Sequence, residues 1–302
     1  VKLFKGILWL IIIAIFVFGL DFLIRPIYYL NEWTYFQEWK NGIESRDVTV
    51  SGIRMHYTAE GPAGGQPVLL VHGLGVRGEE WAALAPYLVQ AGYHVYMPDL
   101  PGYGRSQKPR DFSYSVHDEA ELVAGFIDSL GLTRVDLGGW SMGGGIAQHV
   151  AFEHPDHVRK LMLFDAVGLN QPPAFDTRLF TPESGDQLFQ LQMLLSPHPA
   201  QLPSFIVRDV LKQSHRNEWV VKRAIASMLA GADATDSILP QLKMPVLIVW
   251  GSEDRIFPVS QAETMHRLVP QSELDIVPGC GHLAPKECTA QVGPMVVAFE
   301  ME

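Results

Sequence analysis

Cysteine is nearly absent: Cys280 and Cys288 are the only two in 302 residues. That excludes a disulfide scaffold and a four-cysteine zinc site. The two could close one bridge in an oxidising compartment, although so short a loop strains such a bond easily. Basic residues are also in deficit, 23 Lys and Arg against 33 Asp and Glu, for a net charge of −10. An acidic chain without a basic run has no electrostatic footprint for nucleic acid. It is also weakly repelled by an anionic bilayer, so any membrane attachment has to be apolar. No internal repeat or low-complexity tract occurs. The zincin H-E-x-x-H pattern is missing, and His149, His154 and His157 lie on or beside one helix end that His154-Pro155 breaks. Metal binding therefore fits poorly. Gly143-Gly144-Gly145 lacks the G-x-G-x-x-G spacing, and no phosphate-binding lysine follows. Neither a metal nor an organic cofactor is expected.

Apolar residues, by contrast, make up 47% of the chain and open it. No charge interrupts Gly6–Leu20, and the run reaches Ile24 if Asp21 is tolerated near one end. At a helical rise of about 1.5 Å, residues 6–24 span roughly 28 Å, close to the hydrocarbon thickness of about 30 Å. A cleaved signal peptide is the main rival. The apolar stretch is long for one, and no small-x-small site comes after it. The chain continues instead with Arg25-Pro26 and then Tyr28, Tyr29, Trp33, Tyr35, Phe36 and Trp39, rings that favour the headgroup layer. Residues 1–24 are therefore expected to be a retained single-pass anchor. Residues 25–46 are expected to be a juxtamembrane helix and linker at the interface. Lys2, Lys5 and the terminal amine slightly outweigh Arg25 and Lys40. That bias orients the main body outward, to the periplasmic side of the inner membrane in a bacterium. The anchor has no G-x-x-x-G face, and a homodimer packed through the anchor or the juxtamembrane helix stays open.

Beyond Gly42, short apolar runs alternate with helical segments. Strands are expected at 48–50, 53–58, 68–72, 93–97, 135–138, 160–166, 246–250 and 274–277. Helices are expected near 79–90, 116–130, 142–153, 259–269 and 290–299. This rhythm implies an α/β fold, a mostly parallel sheet covered on both faces. It breaks at Gly168 for about 75 residues, with helices near 185–195, 204–213 and 218–230. Residues 168–242 then form a helical cap on a core made of 47–167 and 243–302.

The chemistry gathers around Gly139-Trp140-Ser141-Met142-Gly143. This G-x-S-x-G sits between a strand and a helix, the setting that lifts a serine hydroxyl clear of a sheet on a tight turn. Ser141 needs a base, because a free hydroxyl is a poor nucleophile at neutral pH. His282, on the Gly-rich loop after the last strand, fills that role. The base needs a carboxylate, and Asp254 comes after strand 246–250; Asp165 and Glu253 are rivals. Donors for a developing oxyanion would be the backbone N–H groups of Met142 and Leu74. His72 and Asp99 read as structural.

These residues resemble those of the α/β-hydrolase family over roughly 48–300. The likeness rests on His72-Gly73-Leu74-Gly75, the 99–106 turn, the 139–145 elbow and the Asp254 and His282 loops. The order Ser, Asp, His along the chain is the order of that fold. With the anchor, the aromatic stretch and the cap, the chain also resembles membrane-anchored monoacylglycerol lipases. It is similar too to bacterial inner-membrane esterases acting as lysophospholipases or phospholipases A. The resemblance implies hydrolysis of lipid esters through an acyl-enzyme, without a cofactor. Trp140 and the cap residues Phe175, Phe180, Leu191 and Leu194 are the candidate contacts for an acyl chain. Met and Leu in the cap suit flexible aliphatic chains. The same elbow occurs in carbon–carbon bond hydrolases and perhydrolases of the family, and a non-catalytic ligand-binding protein is a third alternative.

Overall fold

In the computed structural model, which describes residues 2–302, the apolar run forms helix α1 (Lys2–Ile24) and the aromatic stretch forms α2 (Pro26–Lys40). Pro26 has no N–H and disfavours helical backbone before it, and Arg25 adopts φ −138°, ψ 58°. The segments Ala14–Ile24 and Pro26–Lys40 meet at 101°. Among the described residues no single helix is long and apolar enough to cross a membrane, but this bent pair passes by length and composition. The bend is seated on the body of the protein. Ile27 N–H donates to Asp209 Oδ2 at 3.0 Å, and the rings of Phe22 and Phe205 lie 6.1 Å apart. Arg105 bridges the carboxylates of Glu38 and Glu79 and lies over the Tyr35 ring. Trp33, Phe36 and Trp39 remain exposed on α2, Trp39 to 75%.

Strands β1 (Glu44–Val50), β2 (Ile53–Glu60), β3 (Pro67–Val71), β4 (His94–Pro98), β5 (Val135–Trp140), β6 (Val158–Phe164), β7 (Val246–Gly251) and β8 (Ser272–Val277) form one sheet. Their order is β1-β2-β4-β3-β5-β6-β7-β8. The β1–β2 and β2–β4 pairs are antiparallel and the others parallel. Strand β1 starts four residues before the expected Val48. Its leading residues are polar and mostly exposed on the sheet edge, so they carry no apolar alternation. Helices α4 (Val116–Ser129), α5 (Met142–Glu153) and α8 (Val259–Leu268) cover one face. Helices α3 (Ala85–Gln90), α9 (Ala284–Glu287) and α10 (Thr289–Met301) cover the other. The segment expected as one helix near 79–90 is a 3-10 turn over Gly78–Ala83 and then α3, with Pro86 in its first turn.

Residues 168–242 contribute α6 (Gly185–Leu195) and α7 (Ser204–Ala230). The two helices expected at 204–213 and 218–230 are one 27-residue helix. Ser214 and Asn217 look like a cap, but no Gly or Pro breaks the run. Gly231, in the left-handed region at φ 70°, stops it. The parallel register brings the C-terminal ends of β3, β5, β6 and β7 to one edge of the sheet. Loops at that edge are where α/β sheets build their sites.

Candidate active site

Strand β5 ends in the turn that carries Ser141, whose backbone sits at φ 56°, ψ −119°. A non-glycine residue held there is strained, and the surroundings hold it. A Cβ on Gly139 would collide with the Gly143 carbonyl, and one on Gly143 with the Val71 carbonyl. Ser141 N–H donates to Phe164 O at 2.9 Å. The hydroxyl is thereby fixed at the start of α5.

Ser141 Oγ lies 2.9 Å from His282 Nε2, and His282 Nδ1 lies 2.9 Å from Asp254 Oδ2. The second oxygen of Asp254 accepts from Ile256 N–H at 2.7 Å and Phe257 N–H at 3.0 Å. A carboxylate in that setting only accepts, so Nδ1 carries the ring proton. The Nε2 lone pair then faces the serine hydroxyl. Both His282 and Asp254 are buried. The three residues singled out from the sequence thus form the arrangement of a serine-hydrolase active site.

The His282 loop is braced from three sides. Trp140 Nε1 donates to His282 O at 2.8 Å. Cys280 and Cys288 are joined by a disulfide that encloses His282, so the short loop closes where strain was expected to oppose it. The C-terminal end of α6 abuts the loop, and a Cβ on Gly281 would lie 2.7 Å from Leu195 O. Trp140 itself does not reach the cleft. On β5 it lies three residues after Leu137, so its side chain points to the opposite face of the sheet, the one that α3, α9 and α10 cover. There it packs against Trp81 and Phe164. Leu191 and Leu194 on α6 are also absent from the cleft wall.

On the other side of Ser141, a Cβ on Gly73 would lie 3.2 Å from the serine Cβ, so the loop after β3 passes directly over it. His72 shapes that loop. Its Nε2 accepts from Leu100 N–H at 3.0 Å, which leaves Nδ1–H to donate to Gly73 O at 2.7 Å. Burial holds its pKa below the ordinary value, and the ring is neutral. Among the described residues, neither Leu74 N–H nor Met142 N–H makes a hydrogen bond. Asp99 accepts from Gly78 N–H at 2.8 Å and Arg105 N–H at 2.7 Å, tying neighbouring loops together.

Neither rival carboxylate is the hydrogen-bond partner of His282. Glu253 is exposed. Asp165 is fully buried at φ 43°, and accepts from Gly251 N–H at 2.8 Å. Burial first, and the Asp254 charge second, push its pKa well above the ordinary carboxyl range. A neutral acid there holds the end of β7, from which Asp254 projects.

Above Ser141 opens a cleft of about 740 Å³, solvent mouth included. Phe175 and Phe180 line it, as does Leu74. So do Ile225 and Met228 of α7 and Ile256 and Phe257 beyond Asp254, none of which the sequence singled out. The one available signal was the i, i+3 spacing of Ile225 and Met228 on a helical face. Among the described residues, no Lys or Arg lines this cleft. A second hollow of about 750 Å³ shares Leu169, Gln171, Met228 and Leu229 with it. Two groups of side chains with the donor atoms for a cation, His117–His149–Glu153 and Glu121–Glu153–His154, gather at the far end of α5.

The sequence profile of the alpha/beta hydrolase fold family matches residues 66–194 and 212–287. The crystal structure of a membrane phospholipase A, described as a bacterial virulence factor, superposes with a TM-score of 0.84. It is 27% identical, and 98% of each chain is covered. Lipase 1 of Psychrobacter immobilis is 25% identical over 86% of this chain and 85% of its own length. The 2-hydroxymuconate semialdehyde hydrolase of Pseudomonas sp. (strain CF600) is 28% identical over 85% of this chain and 94% of its own.

Proposed function

The chain belongs to the α/β-hydrolase family, and on that footing we propose that it is a membrane-anchored serine carboxylester hydrolase. Its substrates are lipid esters, the acyl chains of monoacylglycerols or of lysophospholipids and phospholipids. The observation that carries this reading is the wall of the cleft. It is mostly apolar above Ser141, with Gln171, Thr177 and Gln261 as its uncharged polar members, and presents no basic side chain among the described residues. An aliphatic chain matches such a wall. A small ring-cleavage acid brings a carboxylate that would be desolvated there without a cationic partner. The exposed rings of α1 and α2 support confinement at a bilayer, where lipid esters are concentrated. The disulfide is consistent with the oxidising, periplasmic side of a bacterial inner membrane.

In the proposed mechanism Ser141 Oγ attacks the ester carbonyl as His282 Nε2 takes its proton. Asp254 stabilises the imidazolium, and the oxyanion is met by the N–H groups of Leu74 and Met142. The tetrahedral species collapses to an acyl-serine, and the alcohol leaves with the proton from His282. Water, deprotonated by the same ring, then releases the fatty acid and restores Ser141.

The test is hydrolysis by the detergent-solubilised full chain, with Ser141→Ala as control. The panel holds para-nitrophenyl esters of rising chain length, a monoacylglycerol, a lysophospholipid and a 2-hydroxy-6-oxo-dienoic acid. Turnover of the lipids that vanishes in Ser141→Ala is expected. Cleavage of the dienoic acid with no turnover of the lipids would move the assignment to carbon–carbon hydrolysis.

A further inference from the structure

We propose that His117, His149 and Glu153 form a binding site for a divalent transition cation of the zinc class, remote from Ser141. His149 is only 7% exposed, and its Nε2 lies 3.0 Å from the Asp233 carbonyl oxygen. A carbonyl can only accept, so Nε2 carries the hydrogen. In the neutral ring Nδ1 is then a bare lone pair. That lone pair lies 3.1 Å from Glu153 Oε1, a carboxylate oxygen with lone pairs of its own. Two acceptors face each other, and something positive belongs between them. His117 Nδ1 addresses the same carboxylate at 3.3 Å from Oε1 and 3.2 Å from Oε2.

A proton on each ring would satisfy the contacts one at a time. A single metal ion satisfies them together. Tetrahedral zinc with ligands at about 2.0–2.1 Å has ligand-to-ligand edges of about 3.3–3.4 Å. The two nitrogen-to-carboxylate separations, 3.1 Å from His149 and 3.3 Å from His117 to Glu153 Oε1, are close to those edges. The three donor atoms all lie within 4.8 Å of one another. Imidazole nitrogens with one carboxylate suit zinc and its neighbours rather than magnesium or calcium. The Asp233 carbonyl behind His149 is the outer partner that a metal-bound imidazole commonly has, fixing the tautomer and the ring plane. His117 is 49% exposed, which leaves the fourth position open to water. From the sequence alone metal binding fits poorly, because His149, His154 and His157 crowd one helix end. The completing ligand comes from α4, 32 residues earlier, and only the packing of α4 on α5 delivers it. An ion here would join α4 and α5 to the loop after α7.

The experiment uses the full chain in detergent, free of any histidine tag and stripped with a chelator. It is titrated with Co2+ by visible absorption and with Zn2+ by calorimetry. One equivalent is expected to bind saturably, with the intense d–d bands of a low-coordinate Co2+ site that Zn2+ displaces. His149→Ala, His117→Ala and Glu153→Gln should each weaken binding by more than about tenfold. His117→Ala changes an exposed side chain and keeps the test open if His149→Ala fails to fold. Zinc at about 100 times its Kd should raise Tm by roughly 5 °C or more in the parent chain and by much less in His117→Ala. No saturable uptake, or uptake that all three variants retain, would overturn the site. The contacts would then be ordinary pairs of protonated histidines with Glu153.

Discussion

Replacing Trp140 by Phe distinguishes a residue that touches substrate from one that holds the catalytic base. The indole N–H donates to the His282 carbonyl at 2.8 Å, and the ring is buried against Trp81 and Phe164. Phe cannot donate, so a buried carbonyl is left without its partner, a cost of about 1–3 kcal/mol. The smaller ring adds about 1 kcal/mol of lost packing. The sum, about 2–4 kcal/mol, corresponds to a fall in Tm of roughly 5–10 °C for a chain of this size. If about 1.4 kcal/mol of it is expressed as displacement of the imidazole from Ser141, kcat falls about tenfold. Binding is untouched, because Trp140 does not line the cleft. The assay is steady-state hydrolysis of para-nitrophenyl esters of increasing chain length, with a thermal melt on the same preparation. A lower kcat at every length, with KM constant, is the expected pattern. A KM that rises with chain length while kcat holds would return Trp140 to the wall of the cleft. An unchanged Tm would show that the hydrogen bond contributes nothing.

Asp254→Asn should keep the fold and lower kcat by about 10⁴-fold, because the amide no longer enforces the tautomer that turns Nε2 toward Ser141; single-turnover kinetics measures it. Replacing both Cys280 and Cys288 by Ser opens a loop with a sequence separation of 8. Chain entropy puts the loss at about 2–3 kcal/mol, and kcat should fall with it because His282 lies inside the loop; melting and turnover with and without reductant test this. Glu300 is buried, and burial first and Asp136 second push its pKa from 4.5 up to about 8. The folded state therefore keeps a proton that the unfolded state has released. Stability should fall as pH rises from about 4.5 to 8, by at most about 1.4 kcal/mol per unit. Glu300→Gln should flatten that part of the pH profile in urea melts.

The catalytic residues were legible in the sequence because each lies in a local signal. The pentapeptide around Ser141, the glycines flanking His282 and the strand before Asp254 identify themselves without knowledge of the packing. The alternation of strand and helix likewise announced a parallel sheet. What was hidden depends on contacts between distant segments. Trp140 could not be assigned to a face until the strand's neighbours were known. The apolar run of α6 reads equally well as lining or as packing, and its C-terminal end serves as a brace for the Gly281 backbone. The continuity of α7 was concealed by Ser214 and Asn217, whose preference for caps is real but weak beside the burial of Val220, Val221 and Ala224. His117 and His149 are 32 residues apart, and nothing local links them.

The crowding of glycines around Ser141 has a consequence for how such a protein can change. At Gly139, Gly143 and Gly251 the chain leaves no room for even a methyl group, because main chain touches main chain. The spacing of the reacting groups is therefore set by the frame of the sheet and not by the choice of side chains around it. The wall of the cleft is built largely by the segments after β6 and by α7, where even the tight Gly168 would meet only the side chains of Thr235 and Gln148. Mutations can widen, narrow or recharge that wall while the frame stays as it is. A lineage with this architecture can exchange its substrates while the spacing of Ser141, His282 and Asp254 stays fixed.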